Sequence, residues 1–239
     1  WGAPPDQDLL AAAGRGELGT TAGLERQARR MLADPRSDAL GSRFAGQWLR
    51  LQDIDKVHPD SNFEPNFGEQ PAGLMRRETE LFFNSLVRDD RSVLDLLRAD
   101  YTFLNERLAR HYGIPGVAGS QFRRVTYPNA TRRGILGQGS MLVQTSYANR
   151  TSPVLRGKWV MEVLLGSPPP APPPNVPALE ETGGAKGGRL LSVRERMEQH
   201  RANPACMSCH KVIDPLGLAL ENFDVTGAWR IKDNEVGVD

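Results

Sequence analysis

The sequence predicts a mostly α-helical protein. Over the first hundred or so residues, apolar side chains recur three and four positions apart, with capping residues in front of each run. Strand signals are few and short, and there is no internal repeat or Gly-rich phosphate loop. Glycine, proline and threonine become frequent from about residue 114. We therefore predict two units, a helical domain over residues 1–118 and a second domain over 119–239.

Helices are predicted in order along the first unit. TTAGLERQARRMLADP has Thr20 or Thr21 as its N-cap. SDALGSRFAGQWLRL places Phe44, Trp48 and Leu51 four and three apart, and we expect this stripe to be buried. AGLMRRETELFFNSLVRDD repeats the pattern. SVLDLLRADYTFLNERLARHYG predicts two short helices, the second closed by its final glycine in the left-handed conformation.

The second unit is predicted to hold three further helices. TSPVLRGKWVMEVLLG begins with Ser152 as cap and Pro153 at the first helical position. SPPPAPPPNVP, residues 167–177, predicts an extended polyproline strap, either a spacer or a cover over a hydrophobic surface. ETGGAKGG predicts a loop. LSVRERMEQHR resumes helix, and NPACMSCHKV begins another with Asn203 as N-cap and Pro204 first.

The charge balance and the apolar runs exclude two classes of partner. The chain has 30 basic and 29 acidic residues, and no dense basic run, so we expect no nucleic-acid partner. The longest apolar runs, such as VMEVLLG, fall far short of the roughly 20 residues that cross a bilayer, so we expect no transmembrane segment. Because the sequence begins at Trp1 without a methionine and stops at NEVGVD, we expect a mature or trimmed piece of a longer protein.

Both cysteines of the chain lie in the motif CMSCH, with Cys206 and Cys209 three apart and His210 directly after them. On a helix this spacing puts both sulfurs within reach of the two vinyl groups of a haem and the imidazole beneath its iron. Cys206 and Cys209 are therefore candidate attachment points for one haem c, with His210 as proximal ligand. Four alternatives stay open: a redox dithiol, part of a zinc site, a strained disulfide, or two cysteines with no special role.

Three segments around this motif carry a resemblance to a known family. ADYTFLNERLARHYGI resembles the end of the helical block of the planctomycete-type cytochrome proteins, the PSD and PSCyt families. TSPVLRGKWVMEVLLGSPPPAPPPNVP and HRANPACMSCHKVIDPLGLALENFDVTGAWR resemble their cytochrome-containing block. The resemblance covers nearly the whole chain. It implies that residues 119–239 form a mono-haem c-type cytochrome domain in an extracytoplasmic redox protein, and it supplies no substrate.

No methionine or histidine follows His210, so a distal ligand must come from upstream, from outside the chain, or be absent. His200 is one candidate, because a break in the helix between it and the motif lets it fold back over the ring. Met141 is the second candidate, and Met197 is a weaker third. Met207 lies inside the motif on the proximal side.

Arginines and tryptophans near the motif are candidate haem contacts. Arg150, Arg156 and Arg230 could pair with the propionates through bidentate hydrogen bonds, with a solvated arginine as the alternative. Trp159 and Trp229 could pack on the macrocycle and screen it from water, with an ordinary core residue as the alternative.

These patterns predict one-electron transfer through one covalent haem c, in a domain or subunit of a larger redox protein or membrane-associated assembly. Haem c is attached on the outer side of the cytoplasmic membrane, so we expect a periplasmic or otherwise extracytoplasmic location and redox proteins as partners. A haem enzyme with an open, peroxidase-like distal site is one alternative. A structural subunit of a redox complex is another.

Overall fold

Helices make up most of the structure, a computed structural model that describes residues 1–60, 67, 69–171, 185–186, 189–233 and 236–237. The predicted fold class, mostly α, is confirmed. The α-helices of the described residues are α1 (Gln7–Gly14), α2 (Thr21–Ala33), α3 (Gly46–Trp48), α4 (Glu69–Arg88), α5 (Asp95–Arg98), α6 (Glu106–His111), α7 (Gly139–Gln144), α8 (Pro153–Trp159), α9 (Val193–Arg201) and α10 (Pro204–Leu218). None of these helices is both long enough and apolar enough to cross a bilayer.

The strands within the described ranges pair as small antiparallel sheets of two strands each. They are β1 (Tyr101–Leu104) with β2 (Arg123–Thr126), β3 (Ala185–Lys186) with β4 (Arg189–Leu190), and β5 (Lys232–Asp233) with β6 (Val236–Gly237). Short 3-10 and π-helical turns connect several of the helices.

Predicted helix starts are confirmed by their capping side chains. The Thr20 hydroxyl accepts a hydrogen bond from the backbone N–H of Gly23 at the start of α2. The Ser152 hydroxyl accepts one from Leu155 at the start of α8, where Pro153 takes the first position. The first N–H groups of a helix have no partner within it, so each of these oxygens satisfies one of them.

Residues 37–51 do not form the single helix that their spacing predicts. A π-helical turn (Leu40–Ala45) interrupts the run, and Arg50 takes the left-handed conformation at φ 55° just before Leu51. A π turn is wider than an α turn, so the set of residues that share one face changes. The predicted buried stripe is therefore wrong for Phe44, which is 57% exposed and contacts the ring of Trp48, whereas Leu51 is buried.

A strand lies between the two short helices predicted over residues 92–113. Tyr101, Thr102 and Phe103 belong to β1, and Tyr101 pairs with Thr126 of β2. Aromatic and β-branched residues favour strands, but their pairing partner lies about twenty residues further along the chain, beyond the reach of local spacing. Both helices are present as α5 and α6, and Gly113 follows the second at φ 70°, as predicted.

The predicted polyproline strap is described only over residues 167–171. These residues form neither helix nor strand and are mostly exposed. Residues 172–177 of the strap lie outside the described residues. Of the predicted loop after it, the structure describes Ala185–Lys186, which form β3 and pair with β4 directly after the loop, and the rest of the loop lies outside the described residues.

Helix α8 packs closely against α10, the helix that carries the CMSCH motif. A Cβ atom on Gly157 would lie 2.0 Å from the carbonyl oxygen of Ile213, and one on Gly217 would lie 1.8 Å from that of Pro153. These two contacts run in opposite directions along the helices, so the pair is antiparallel. The missing side chains let the two backbones meet and fix the position of α10 on the core.

The hydrophobic core draws residues from both predicted units. One cluster joins Leu49, Phe82 and Tyr101, which precede residue 118, to Met141 and Trp159, which follow it. The two predicted units therefore share one interior. The boundary at residue 118 stays a prediction.

A carboxyl group lies inside the protein on α4. Glu78 is fully buried and accepts hydrogen bonds from the hydroxyls of Thr102 at 2.7 Å and Tyr112 at 2.6 Å. Burial raises the pKa of the Glu78 carboxyl from 4.5 to about 7, while these bonds and the charge of Arg132 act in the opposite direction. Arg132 is itself buried and donates to the carbonyl oxygen of Gly227.

We expect Gly157→Ala to lower the free energy of unfolding by about 1–3 kcal/mol, because the added methyl group meets the Ile213 carbonyl and pushes α8 away from α10. Urea unfolding measures the change. Gly73→Ala on α4 is the matched control, since open space surrounds it, and it should be neutral or stabilising by up to about 1 kcal/mol. Equal losses in both variants would contradict the close packing of α8 on α10.

We also expect the stability of the protein to fall as pH rises from 4.5 through about 7, because of Glu78. Over this range the folded state keeps a proton on the buried carboxyl that the unfolded chain has lost, so folding becomes less favourable as pH rises. The pKa difference corresponds to about 3 kcal/mol, at about 1.4 kcal/mol per pKa unit. Urea unfolding across this range should show the decline in wild type and a flatter curve in Glu78→Gln.

The exposed residue Glu198 provides the control for this measurement. Glu198→Gln removes the same charge from a solvated position and should keep the pH dependence of the wild type. A Glu78→Gln curve that also keeps it would show that another group causes the decline.

Candidate functional site

The CMSCH motif occupies the first turns of α10, which begins at Pro204 as predicted. Cys206 and Cys209 are free thiols, and both side chains are half-buried. Their spacing of three puts both sulfurs on one side of the helix. The hydroxyl of Ser208 lies 3.7 Å from Sγ of Cys209. The helix therefore presents two thiols on one face, within reach of solvent.

His210 is held by a buried carboxylate one turn further along α10. Its Nδ1 lies 2.8 Å from Oδ1 of Asp214, a residue with no exposed surface. The other carboxylate oxygen, Oδ2, has no hydrogen-bond partner among the described residues, and Nε of Arg201 lies 3.6 Å from it. An ionised carboxylate only accepts hydrogen bonds, so Nδ1 is the donor in this pair and Nε2 is the ring nitrogen left for a metal.

A second imidazole lies beside His210. The ring of His200, in the last turn of α9, has its centroid 4.9 Å from that of His210, with the ring planes at 72°. Burial lowers the pKa of His200, and the neighbouring His210 acts in the same direction, while Asp214 opposes both. The neutral imidazole, the form that binds metals, is favoured at this position.

Two family models match the chain, one on each side of the glycine- and proline-rich stretch that begins at about residue 114. Residues 1–114 match PSD4, described as a protein of unknown function (DUF1592), and residues 132–233 match PSCyt3, described as a protein of unknown function (DUF1588). Both are planctomycete cytochrome-type domain families. The resemblance predicted from the sequence is confirmed, and the PSCyt3 match contains the whole CMSCH helix. No curated protein and no solved structure matches the chain.

The methionines of the PSCyt3 part lie in different surroundings from His200. Met141 is buried in the core cluster, and the hydroxyl of Thr145 lies 3.8 Å from its Sδ. Met197 is buried on α9, and Met207 is half exposed on α10. These surroundings account for Met141 as a core residue. Of the candidate distal ligands, His200 is the one seen in contact with His210.

The PSCyt3 part holds Arg156 in a buried ion pair. Its guanidinium is fully buried, lies 3.1 Å from Oε1 of Glu221, and donates to the carbonyl oxygen of Leu220 at 2.6 Å. Arg230 donates to the other oxygen of Glu221 at 3.3 Å and to the hydroxyl of Thr151 at 2.9 Å. A buried arginine needs such partners, so these bonds give Arg156 a structural role within the core. Its pairing with a propionate gains no support from this geometry.

The remaining candidates for haem contact lie at different depths. Trp159 belongs to the core cluster, and its buried Nε1 has no hydrogen-bond partner among the described residues. Trp229 is 42% exposed and packs edge-on against Phe223. The guanidinium of Arg150 lies over the ring of Tyr147 at 4.1 Å. Contact of these side chains with a haem stays a prediction.

Asp214 and Arg201 are the site residues that the sequence interpretation missed. A signal for Asp214 existed, because it follows His210 by four positions on a predicted helix and must share its face. The burial of its carboxylate and the approach of Arg201 from α9 depend on how α9 folds back onto α10, and no local pattern indicates that.

Proposed function

We propose that this protein attaches one haem c through Cys206 and Cys209 and transfers single electrons as a domain or subunit of a larger extracytoplasmic redox protein. The strongest support is the pairing of His210 Nδ1 with Asp214 at 2.8 Å. With Nδ1 as the donor, Nε2, the nitrogen that a haem iron takes, is left for the metal, next to Cys209 and one turn from Cys206. The PSCyt3 match supports the same proposal, since it is a cytochrome-type family.

The donor set suits a haem better than a bare metal ion. Within the described ranges, no group of three or more His, Cys, Asp or Glu side chains could hold a metal ion by itself. A structural zinc site needs four protein ligands, whereas a haem iron needs only one or two beyond the porphyrin. His210 and His200 together provide that number.

The roles of the motif residues follow from their chemistry. Cys206 and Cys209 would hold the group as thioethers, formed by addition of each S–H across one vinyl double bond without an oxidant. His210 would bind its iron through Nε2. A bound haem supplies one iron that gains and loses a single electron.

In this proposal His200 is the distal ligand. The two rings are in direct contact, so that of His200 would have to move away from His210 for a porphyrin to enter between them, and its neutral form is favoured. Ligation by both His210 and His200 would leave no open coordination position on a bound haem, which would favour electron transfer over binding of a small molecule. This distinguishes the proposed carrier from the alternative of a haem enzyme with an open site.

Location and partners follow from covalent attachment. Haem c is attached outside the cytoplasm, so we place the protein in the periplasm or another extracytoplasmic compartment, with redox proteins as electron donor and acceptor. Both cysteines of the chain are used by the thioethers, which leaves none for a disulfide in that compartment.

The attachment is tested on the chain exported to a periplasm that contains a haem c maturation system. We expect a mass increase of one haem and the pyridine haemochrome spectrum of haem c. Both should be lost in the double variant Cys206→Ala/Cys209→Ala and kept in Ser208→Ala, which alters a residue between the two sulfurs. A wild-type chain with two free thiols, or with the two joined as a disulfide, would overturn the proposal.

The distal ligand is tested by optical spectra of the haem-loaded chain. Wild type should be six-coordinate and low-spin, whereas His200→Ala should become five-coordinate and high-spin and respond to added cyanide. Met141→Leu, a swap of similar volume, should keep the wild-type spectrum. The opposite pattern would assign the ligand to Met141, and a high-spin wild type would favour the open-site enzyme.

A further inference from the structure

The carboxylate of Asp214 is bound in an unusual way for a buried charge. One oxygen contacts Nδ1 of His210 at 2.8 Å, and the other has no hydrogen-bond partner among the described residues. The charged groups that face it are His210 on its own helix and Arg201 with His200 from α9. Arg201 is at 3.6 Å, an ion-pair distance that is too long for a hydrogen bond.

Burying a carboxylate without satisfying both oxygens costs stability. A purely structural aspartate in the middle of a helix would be expected to use both oxygens, as Glu221 does with Arg156 and Arg230. Asp214 instead directs its one hydrogen bond at the imidazole that follows Cys209. This arrangement indicates a role that acts through His210.

A carboxylate behind an imidazole changes that ring in two ways. It fixes the proton on Nδ1, and it adds negative charge to the ring, which makes Nε2 a stronger electron donor. Stronger donation stabilises oxidised iron more than reduced iron, so the reduction potential falls. The low dielectric around a fully buried carboxylate strengthens this effect.

We propose that Asp214 is a positioning residue that holds His210 in its Nδ1–H tautomer and keeps the reduction potential of the haem low, with Arg201 limiting the effect by partly neutralising the carboxylate. This inference rests on the proposed haem attachment. Asp214 and Arg201 therefore act in opposite directions on the potential, although both belong to one small cluster.

The test is a spectroelectrochemical titration of the haem-loaded full chain. Asp214→Asn keeps an oxygen that can accept from Nδ1–H but removes the charge, so the potential should rise. For a one-electron couple, a tenfold change in the equilibrium constant for reduction corresponds to about 59 mV. Arg201→Gln should lower the potential, because it leaves the carboxylate charge uncompensated.

Two further variants separate this role from a general loss of structure. Asp214→Glu restores the charge and should bring the potential back toward wild type. Glu198→Gln removes one negative charge from an exposed position of α9 and should leave the potential unchanged. A merely structural role of the cluster would let water reach the haem in Asp214→Asn and Arg201→Gln alike, so both potentials would move in the same direction.

A spectroscopic measurement addresses the ligand directly. In a His200→Ala background the reduced iron is five-coordinate, and the iron–His210 stretching frequency in the resonance Raman spectrum should fall when Asp214→Asn is added. If wild type carries no covalent haem, the proposed function fails. If haem is attached but the potential and the stretching frequency of Asp214→Asn match their wild-type references, only the role of Asp214 is overturned.

Discussion

The contact between α8 and α10 is the constraint on which the rest of the structure depends. Gly157 and Gly217 let the two backbones touch, and no residue with a Cβ fits at either place without moving a helix. Helix α8 continues into the core through Trp159, so α10 is fixed by its C-terminal half. Its N-terminal half, with Cys206 and Cys209, is left half-buried and accessible. Rigid support of this kind is what an attachment site requires.

Three buried carboxyl groups in this protein have three different kinds of partner. Glu78 is bound by hydroxyls, and Glu221 is bound by guanidinium groups and a hydroxyl. Asp214 is bound by an imidazole. In the first two arrangements both oxygens of the buried group have hydrogen-bond partners. In the third arrangement, one carboxylate oxygen of Asp214 has no hydrogen-bond partner among the described residues, and the other contacts Nδ1 of His210 in CMSCH.

Much of the fold could be predicted from the sequence, because caps and apolar spacing are local signals. The starts of α2 and α8 followed from Thr20 and Ser152. The prediction for Phe44 was wrong because Phe44 lies within a π turn, where helical spacing no longer gives the buried face. Strand β1 was missed because strand pairing depends on a distant segment.

Some residues of the candidate site could also be predicted from local spacing, whereas others depend on tertiary packing. The spacing of CMSCH predicts that the two thiols and His210 lie close together, because residues this near in sequence on one helix have a fixed arrangement. The contact of His200 with His210 was anticipated as a possibility, but the position of Arg156 was not, because its partner Glu221 is sixty-five residues away. Which residues form a buried ion pair depends on tertiary packing, and no periodic pattern in the sequence indicates it.

Because the PSD4 and PSCyt3 parts share one interior, neither part buries its apolar side chains by itself. Tyr112, near the end of one part, lies 3.9 Å beneath the guanidinium of Arg132, at the start of the other, and Arg132 in turn reaches Gly227. A chain that carried only one part would expose to water the apolar and charged side chains that the other part now covers.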